Sequence, residues 1–316
     1  MGTRGRGSQG HPRGVGRINL TYALTETGTT RTEYTIVRLA EDTFYLVSAG
    51  AWQSYDSDFL VQAVKDNMDR FGPMCLDDCT GQHGVFALAG PNSRAILSGI
   101  VRDADPATVL SNKRFPWLTA RRLELLMCPT NAIRVAYTGE LGWELHHPME
   151  MQNYLFDRLM EAGEGHGLKL VGARAQNWLR QEKSYRAFGT ELGRDATPLE
   201  AGLDRFVDLS KDFHGKDAMQ AQGIRSKCVT VLIDGPSDAD PWGREALYVG
   251  DEKVGRLTSG GYSVAFQKSI GMGYVRPDLA QPGTRLRVRM QRQLWDAEVT
   301  EDSPYDPANA RIRLDG

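Results

Sequence analysis

AYTGELGWELHHP, residues 136–148, reads as strand, turn and strand, with the turn bracketed by Gly139 and Gly142. Tyr137 falls on the first strand. Alternation along the second puts Trp143, Leu145 and His147 on one face and Glu144 and His146 on the other. Downstream, Glu150 to Ala162 places Tyr154, Leu155, Leu159 and Met160 on one side of an amphipathic helix that stops at Gly163. Upstream, GVFALAG (84–90) is a short apolar strand, and Pro91 suits the first turn of a helix carrying Ala95, Ile96 and Ile100. Farther out, EYTIVRL (33–39) and TFYLVS (43–48) are strand-like, Trp52 to Asn67 has helical spacing, and Ala173 to Arg186 is a further helix. From 227 onward the character changes. VTVLI, ALYVG, KVGRLTSGGY, IGMGYV, RLRVRM, LWDAEV and ARIRL recur at short intervals, the mark of a small β-barrel or sandwich. The fold class is therefore α+β followed by a β-barrel, with a boundary in the polar stretch QAQGIRSK (220–227). The domains run over 17–222 and 223–316, after a glycine- and arginine-rich tail, 1–16, too poor in apolar residues to order itself.

The bulk numbers narrow the function. A chain of 316 residues exceeds what one core holds, so two modules are expected. A net charge of −2 gives no field to attract nucleic acid or an anionic membrane. No apolar run is long enough to span a bilayer, and residues 1–20 carry no secretory signal. Cys75, Cys79, Cys128 and Cys228 lack zinc-site spacing and read as reduced thiols of a cytoplasmic protein. No metal site is expected. Gly5-x-Gly7-x-x-Gly10 formally matches a dinucleotide fingerprint, but neither strand nor helix flanks it. His146 and His147 are adjacent and face opposite sides of a strand, so they cannot share a metal, and neither is assigned to catalysis.

Chemistry enters through longer segments. The turn at 136–148, the block GARAQNWLRQEKSYRAFGTELGRDATPLEAGLDRFVDLSKDFHGKDAM (172–219), KVGRLTSGGYSVAFQKSIGMGYV (253–275), GVFALAGPNSRAIL (84–97) and the closing SPYDPANARIRL (303–314) together resemble the aminomethyltransferase (glycine cleavage T-protein) family. Asn177, the Glu182–Lys183 pair and Tyr185 look more like the folate-binding half of dimethylglycine and sarcosine dehydrogenases. The resemblance implies a folate-binding domain of antiparallel sheets and packed helices ahead of the C-terminal barrel. It implies tetrahydrofolate as cofactor. The pterin presents an amino group beside a ring N–H, an edge that a carboxylate matches with two parallel hydrogen bonds. By position that carboxylate is Glu144, which taken alone would be an exposed strand glutamate. Tyr137 stands where the family has a folate-contacting tyrosine, although a core tyrosine would read the same way. Arg174 takes the place of the folate-binding arginine; near a helix N-terminus its charge gains nothing from the macrodipole.

The catalytic position falls in GTTRTEYTIV (28–37), where Glu33 stands for the family's aspartate. A positioned carboxylate there assists proton transfer and stabilises an iminium-like cation as the C–N bond forms or breaks. The activity implied is capture of the methyl-derived carbon of an N-methyl amine such as dimethylglycine or sarcosine, giving methylenetetrahydrofolate. Two alternatives stay open: a non-catalytic folate-binding or scaffold protein, and a folate-dependent S- or O-demethylase. The resemblance begins near Gly16, after the segment that opens other members, and no FAD-binding domain is visible. The chain thus reads as a fragment, a split subunit or the product of a misplaced start. An FAD-containing amine dehydrogenase domain or subunit is the implied partner, beside folate and the small amine-derived substrate.

Overall fold

The structure, a computed structural model, describes residues 11–236 and 238–315. Most of the expected tail, 1–10, lies outside them. Its last residue is held in place: Gly16 N–H donates to Arg38 O at 2.7 Å, and Gly16 O accepts from Ala120 N–H at 2.8 Å.

The chain runs through β1 (Ile18–Leu24), β2 (Thr30–Arg38), β3 (Phe44–Val47), α1 (Gln53–Phe71), β4 (His83–Ala89), α2 (Ser93–Ser98), α3 (Pro106–Leu110), β5 (Ala120–Leu125), β6 (Cys128–Ile133), β7 (Gly142–Pro148), α4 (Gln152–Gly163), α5 (Ala173–Glu182) and α6 (Lys216–Gln222). The strands β8 (Lys227–Ile233), β9 (Ala246–Val249), β10 (Glu252–Ser263), β11 (Lys268–Val275), β12 (Arg285–Met290) and β13 (Gln293–Val299) complete it. Three sheets result: β1-β2-β3, β4-β7-β6-β5, and a closed barrel in the order β10-β11-β8-β13-β12-β9. All the named pairings are antiparallel. The α+β-then-barrel expectation holds. No helix among the described residues is long and apolar enough to cross a membrane.

Packing follows the alternation. Trp143 and Leu145 of β7 join Leu88 of β4, Ile96 and Leu97 of α2, and Leu155 and Leu159 of α4 in one core. Each such buried aliphatic side chain contributes about 1.5–3 kcal/mol. His147 lies on the same face, stacked on Phe86 with centroids 4.8 Å apart. Glu144 and His146 point the other way, toward the sheet that carries β3. The barrel encloses Val231, Ile233, Leu247, Leu257, Val288 and Val299.

Some local expectations change. Strand β6 ends at Ile133, so Tyr137 sits in the eight-residue connection to β7 and not on a strand. The chain turns there: Val135 N–H donates to Ile133 O at 3.0 Å, while Arg134 exchanges hydrogen bonds with Thr119 O and Leu118 N–H on the β5 side. Helix α5 stops at Glu182, short of Arg186, because Ser184 adopts φ 53° and the N–H groups of Ser184 and Tyr185 return to Gln181 O and Arg180 O. ARIRL (310–314) forms a turn, where Asp306 accepts from the N–H groups of Ala310 and Arg311, and not a strand.

Candidate functional site

Glu33 occupies the middle of β2 directly opposite Tyr22 of β1. Directly opposed residues of an antiparallel pair project to the same face. Tyr22 is buried, and its hydroxyl hydrogen-bonds the Glu33 carboxylate. Burial pushes the Glu33 carboxyl up to about 7, against the smaller lowering effect of the Tyr22 bond. The Tyr22 hydroxyl is pushed upward in turn, by burial first and by the Glu33 charge second. A carboxyl poised near neutral pH exchanges a proton in either direction. The sequence offered no sign of Tyr22; only the β1–β2 register reveals it.

Tyr137 shares that electrostatic neighbourhood. Burial raises its hydroxyl, and the charges of Arg180, Glu33 and Glu191 act on it. Its O–H donates to Arg186 O at 3.3 Å, and its ring stacks on Tyr185 with centroids 6.2 Å apart. The ring keeps a free surface, with the residue 36% exposed.

Glu144 lies on β7 with 31% of its side chain exposed, hydrogen-bonded to His146 Nε2 at 3.3 Å. His146 Nδ1 is 3.0 Å from the hydroxyl of Tyr45 on β3, the strand beside β2. Arg174 stands elsewhere. It opens α5 and lies against the barrel loop, its guanidinium 5.3 Å from the Trp178 ring centre, 4.8 Å from that of Trp242, and 4.0 Å from Asp240. This groove of about 670 Å³ is lined also by Arg244, Glu245 and Arg289. Gly261 of β10 lets the Trp178 indole beneath Arg174 pack where a Cβ would stand. Glu33 and Tyr137 thus lie within electrostatic reach of each other, Glu144 is tied through His146 to Tyr45 of the sheet that carries Glu33, and Arg174 stands apart in its groove.

Much of the rest of the motif block is structural. Arg180 and Glu191 form a buried pair at 2.9 Å, joined by the hydroxyls of Ser259 and Thr258 from β10. Glu182 accepts from Ser263 Oγ and Ala265 N–H. Lys183 Nζ donates to Tyr305 O, Asp306 O and Asn309 Oδ1, and burial lowers its ammonium below the usual lysine range. Glu140 accepts from Tyr305 O–H at 3.0 Å and Arg311 Nε at 2.8 Å. The closing segment therefore clamps the 136–142 turn. Gly139 allows this with φ 77° and by leaving room for the Lys183 stem. Gly139→Ala is expected to cost about 1–3 kcal/mol, read as a lower midpoint in chemical denaturation; an unchanged midpoint would show the clamp to be dispensable.

Comparison with known proteins places these features. Residues 9–211 match the family model described as the GCVT N-terminal domain, and residues 227–306 match the glycine cleavage T-protein C-terminal barrel domain. The chain is 33% identical over 312 residues to mitochondrial dimethylglycine dehydrogenase of Rattus norvegicus, covering 96% of this chain and 35% of that protein. It therefore spans about a third of that relative's length. It is 31% identical over 288 residues to an aminomethyltransferase of Desulfitobacterium hafniense, covering 90% of this chain and 75% of the relative. The crystal structure of glycine cleavage system aminomethyltransferase T from Bartonella henselae superposes with a TM-score of 0.77 at 22% identity, over 93% of this chain and 77% of that one.

Proposed function

The chain belongs to the glycine cleavage T-protein family of aminomethyltransferases, and from that premise we propose a tetrahydrofolate-dependent one-carbon transfer in which Glu33 handles the proton. The product is methylenetetrahydrofolate and the carbon comes from an N-methyl amine of the dimethylglycine or sarcosine type. The observation that carries the proposal is the Glu33 carboxylate set opposite Tyr22 by the β1–β2 register and hydrogen-bonded by that buried hydroxyl.

The residues suit tetrahydrofolate. A carboxylate is acceptor-only, and the pterin edge is donor-rich, so Glu144 with its partly exposed side chain is the anchor. The partly exposed Tyr137 ring offers an aromatic face within the electrostatic reach of Glu33. Arg174 takes the carboxylate-bearing end in its groove. The cofactor supplies the nitrogens that accept the one-carbon unit. Glu33 as carboxylate stabilises an incoming iminium cation, takes the proton released as the new C–N bond forms, and returns a proton to the amine nitrogen as the bond from that nitrogen to the transferred carbon breaks and the amine leaves. Tyr22 keeps a fraction of Glu33 ionised near neutral pH by donating to it.

The likeness to dimethylglycine dehydrogenase over a third of that protein points to a separate amine-oxidising domain or subunit, FAD-dependent, as the source of the one-carbon unit. Glu144→Ala is expected to weaken tetrahydrofolate binding by about 100-fold, the cost of a paired charged hydrogen bond, measured by titration calorimetry. Unchanged affinity would remove Glu144 from the site.

A further inference from the structure

We propose that His146 is a positioning residue for Glu144, held in turn by Tyr45. The inference rests on the pterin-anchoring reading of Glu144.

The geometry fixes the direction of each bond. A carboxylate has no proton to give, so in the contact at 3.3 Å His146 Nε2 donates and Glu144 Oε2 accepts. A neutral imidazole with its proton on Nε2 has a lone pair on Nδ1. The Tyr45 hydroxyl, 3.0 Å from Nδ1, must then donate. The acceptor-only carboxylate therefore selects the tautomer, and the Tyr45 O–H matches it and holds the ring that orients the carboxylate. His146 is only 1% exposed, and the Tyr45 ring meets its edge at 86° with centroids 5.5 Å apart, so the imidazole has little freedom to turn. Its strand position is pinned on both sides, opposite Val85 of β4 and Asn131 of β6.

Glu144 alone would be mobile. Its side chain has three rotatable bonds and is partly open to solvent. Fixing it before the ligand arrives spares the ordering cost on binding. Each carboxylate oxygen has two lone-pair sites, so the bond from His146 leaves acceptor capacity on both oxygens for two parallel donors. Tyr45 ties this orientation to β3 and hence to the sheet that carries Glu33. The Tyr45–His146 contact, which spans 101 residues of sequence, thus references the anchor and the proton-handling group to one frame.

The test is a double-mutant cycle in tetrahydrofolate affinity, measured by titration calorimetry on the full chain. His146→Leu is expected to weaken binding about tenfold. In a Glu144→Ala background the same change is expected to cost less than about twofold, because coupled residues lose their effect together. His146→Gln, whose amide still donates, is expected to restore affinity to within about threefold of the parent. Equal losses in both backgrounds would overturn the proposal and make His146 a packing residue. Parent-like binding by His146→Leu, with Glu144→Ala weakened, would overturn it while leaving the anchor reading in place. Parent-like binding by Glu144→Ala would overturn both. Should His146→Leu fail to fold, Tyr45→Phe carries the same cycle: a loss that vanishes without Glu144 supports the proposal, and an additive loss overturns it.

Discussion

Glu33→Gln is expected to lower methylenetetrahydrofolate formation by at least about 100-fold, the usual share of a positioned proton-transfer group. The assay supplies formaldehyde or an amine-oxidising partner as the carbon source. Glutamine keeps the shape and the Tyr22 contact but cannot exchange a proton. In the parent, the rate is expected to rise with pH through about 7, as Glu33 ionises. Tyr22→Phe should move that midpoint upward, because the lost O–H donor had stabilised the carboxylate. Stability moves the opposite way. The folded carboxyl at about 7 lies above its ordinary 4.5, so the folded state holds the proton more tightly than the unfolded chain. The contribution of Glu33 to folding stability is then fully present below about pH 4.5 and declines as pH rises toward 7. Glu33→Gln removes that decline, so the variant should be less active and, above pH 7, more stable. A pH–rate profile indifferent to Tyr22→Phe would take Glu33 out of the proton-transfer role.

Glu191→Ala is expected to destabilise the fold by about 3–5 kcal/mol, because it strands a buried guanidinium. Arg180 is 2% exposed and Glu191 fully buried, in the seam where α5 meets β10. Burial alone would raise the Glu191 carboxyl. The Arg180 charge, the Ser259 and Thr258 hydroxyls and Ala187 N–H together hold it below its ordinary range. The sign is therefore opposite to that of Glu33. The stabilisation is present above the unfolded value of 4.5 and is lost as pH falls through the folded one. Glu191→Gln should blunt this acid sensitivity. Urea denaturation at pH 7 and at pH 4 measures both effects; a midpoint unchanged from the parent at both would show that the pair does not fasten α5 to the barrel. The two glutamates also separate chemistry from architecture. Glu33 has one phenol for company and rises toward neutrality, whereas Glu191 has a counter-charge and four donors and stays ionised.

Periodicity found most elements because it reports local burial. The six barrel strands, α4 and the faces of β7 were all legible in this way. It failed at residues 134–137, where VAY continues a strand pattern but Val135 N–H turns back to Ile133 O. It failed again at 310–314, where alternating ARIRL follows a turn built on Asp306. In both places a tight local turn ends the alternating pattern.

The sequence by itself determined the order of elements, the family and the residue types available: an acidic group at 33, a carboxylate at 144 with a histidine on the same face, and an arginine opening α5. Alternation and spacing suffice for these, because they depend only on neighbours along the chain. Only the tertiary structure decided what each group meets. The β1–β2 register put Tyr22 on Glu33, the approach of β3 put Tyr45 on His146, and the barrel loop put Trp242 against Arg174. A carboxyl becomes a proton-transfer group, an anchor or a structural tie according to its desolvation and its counter-charges, and packing across the chain sets both.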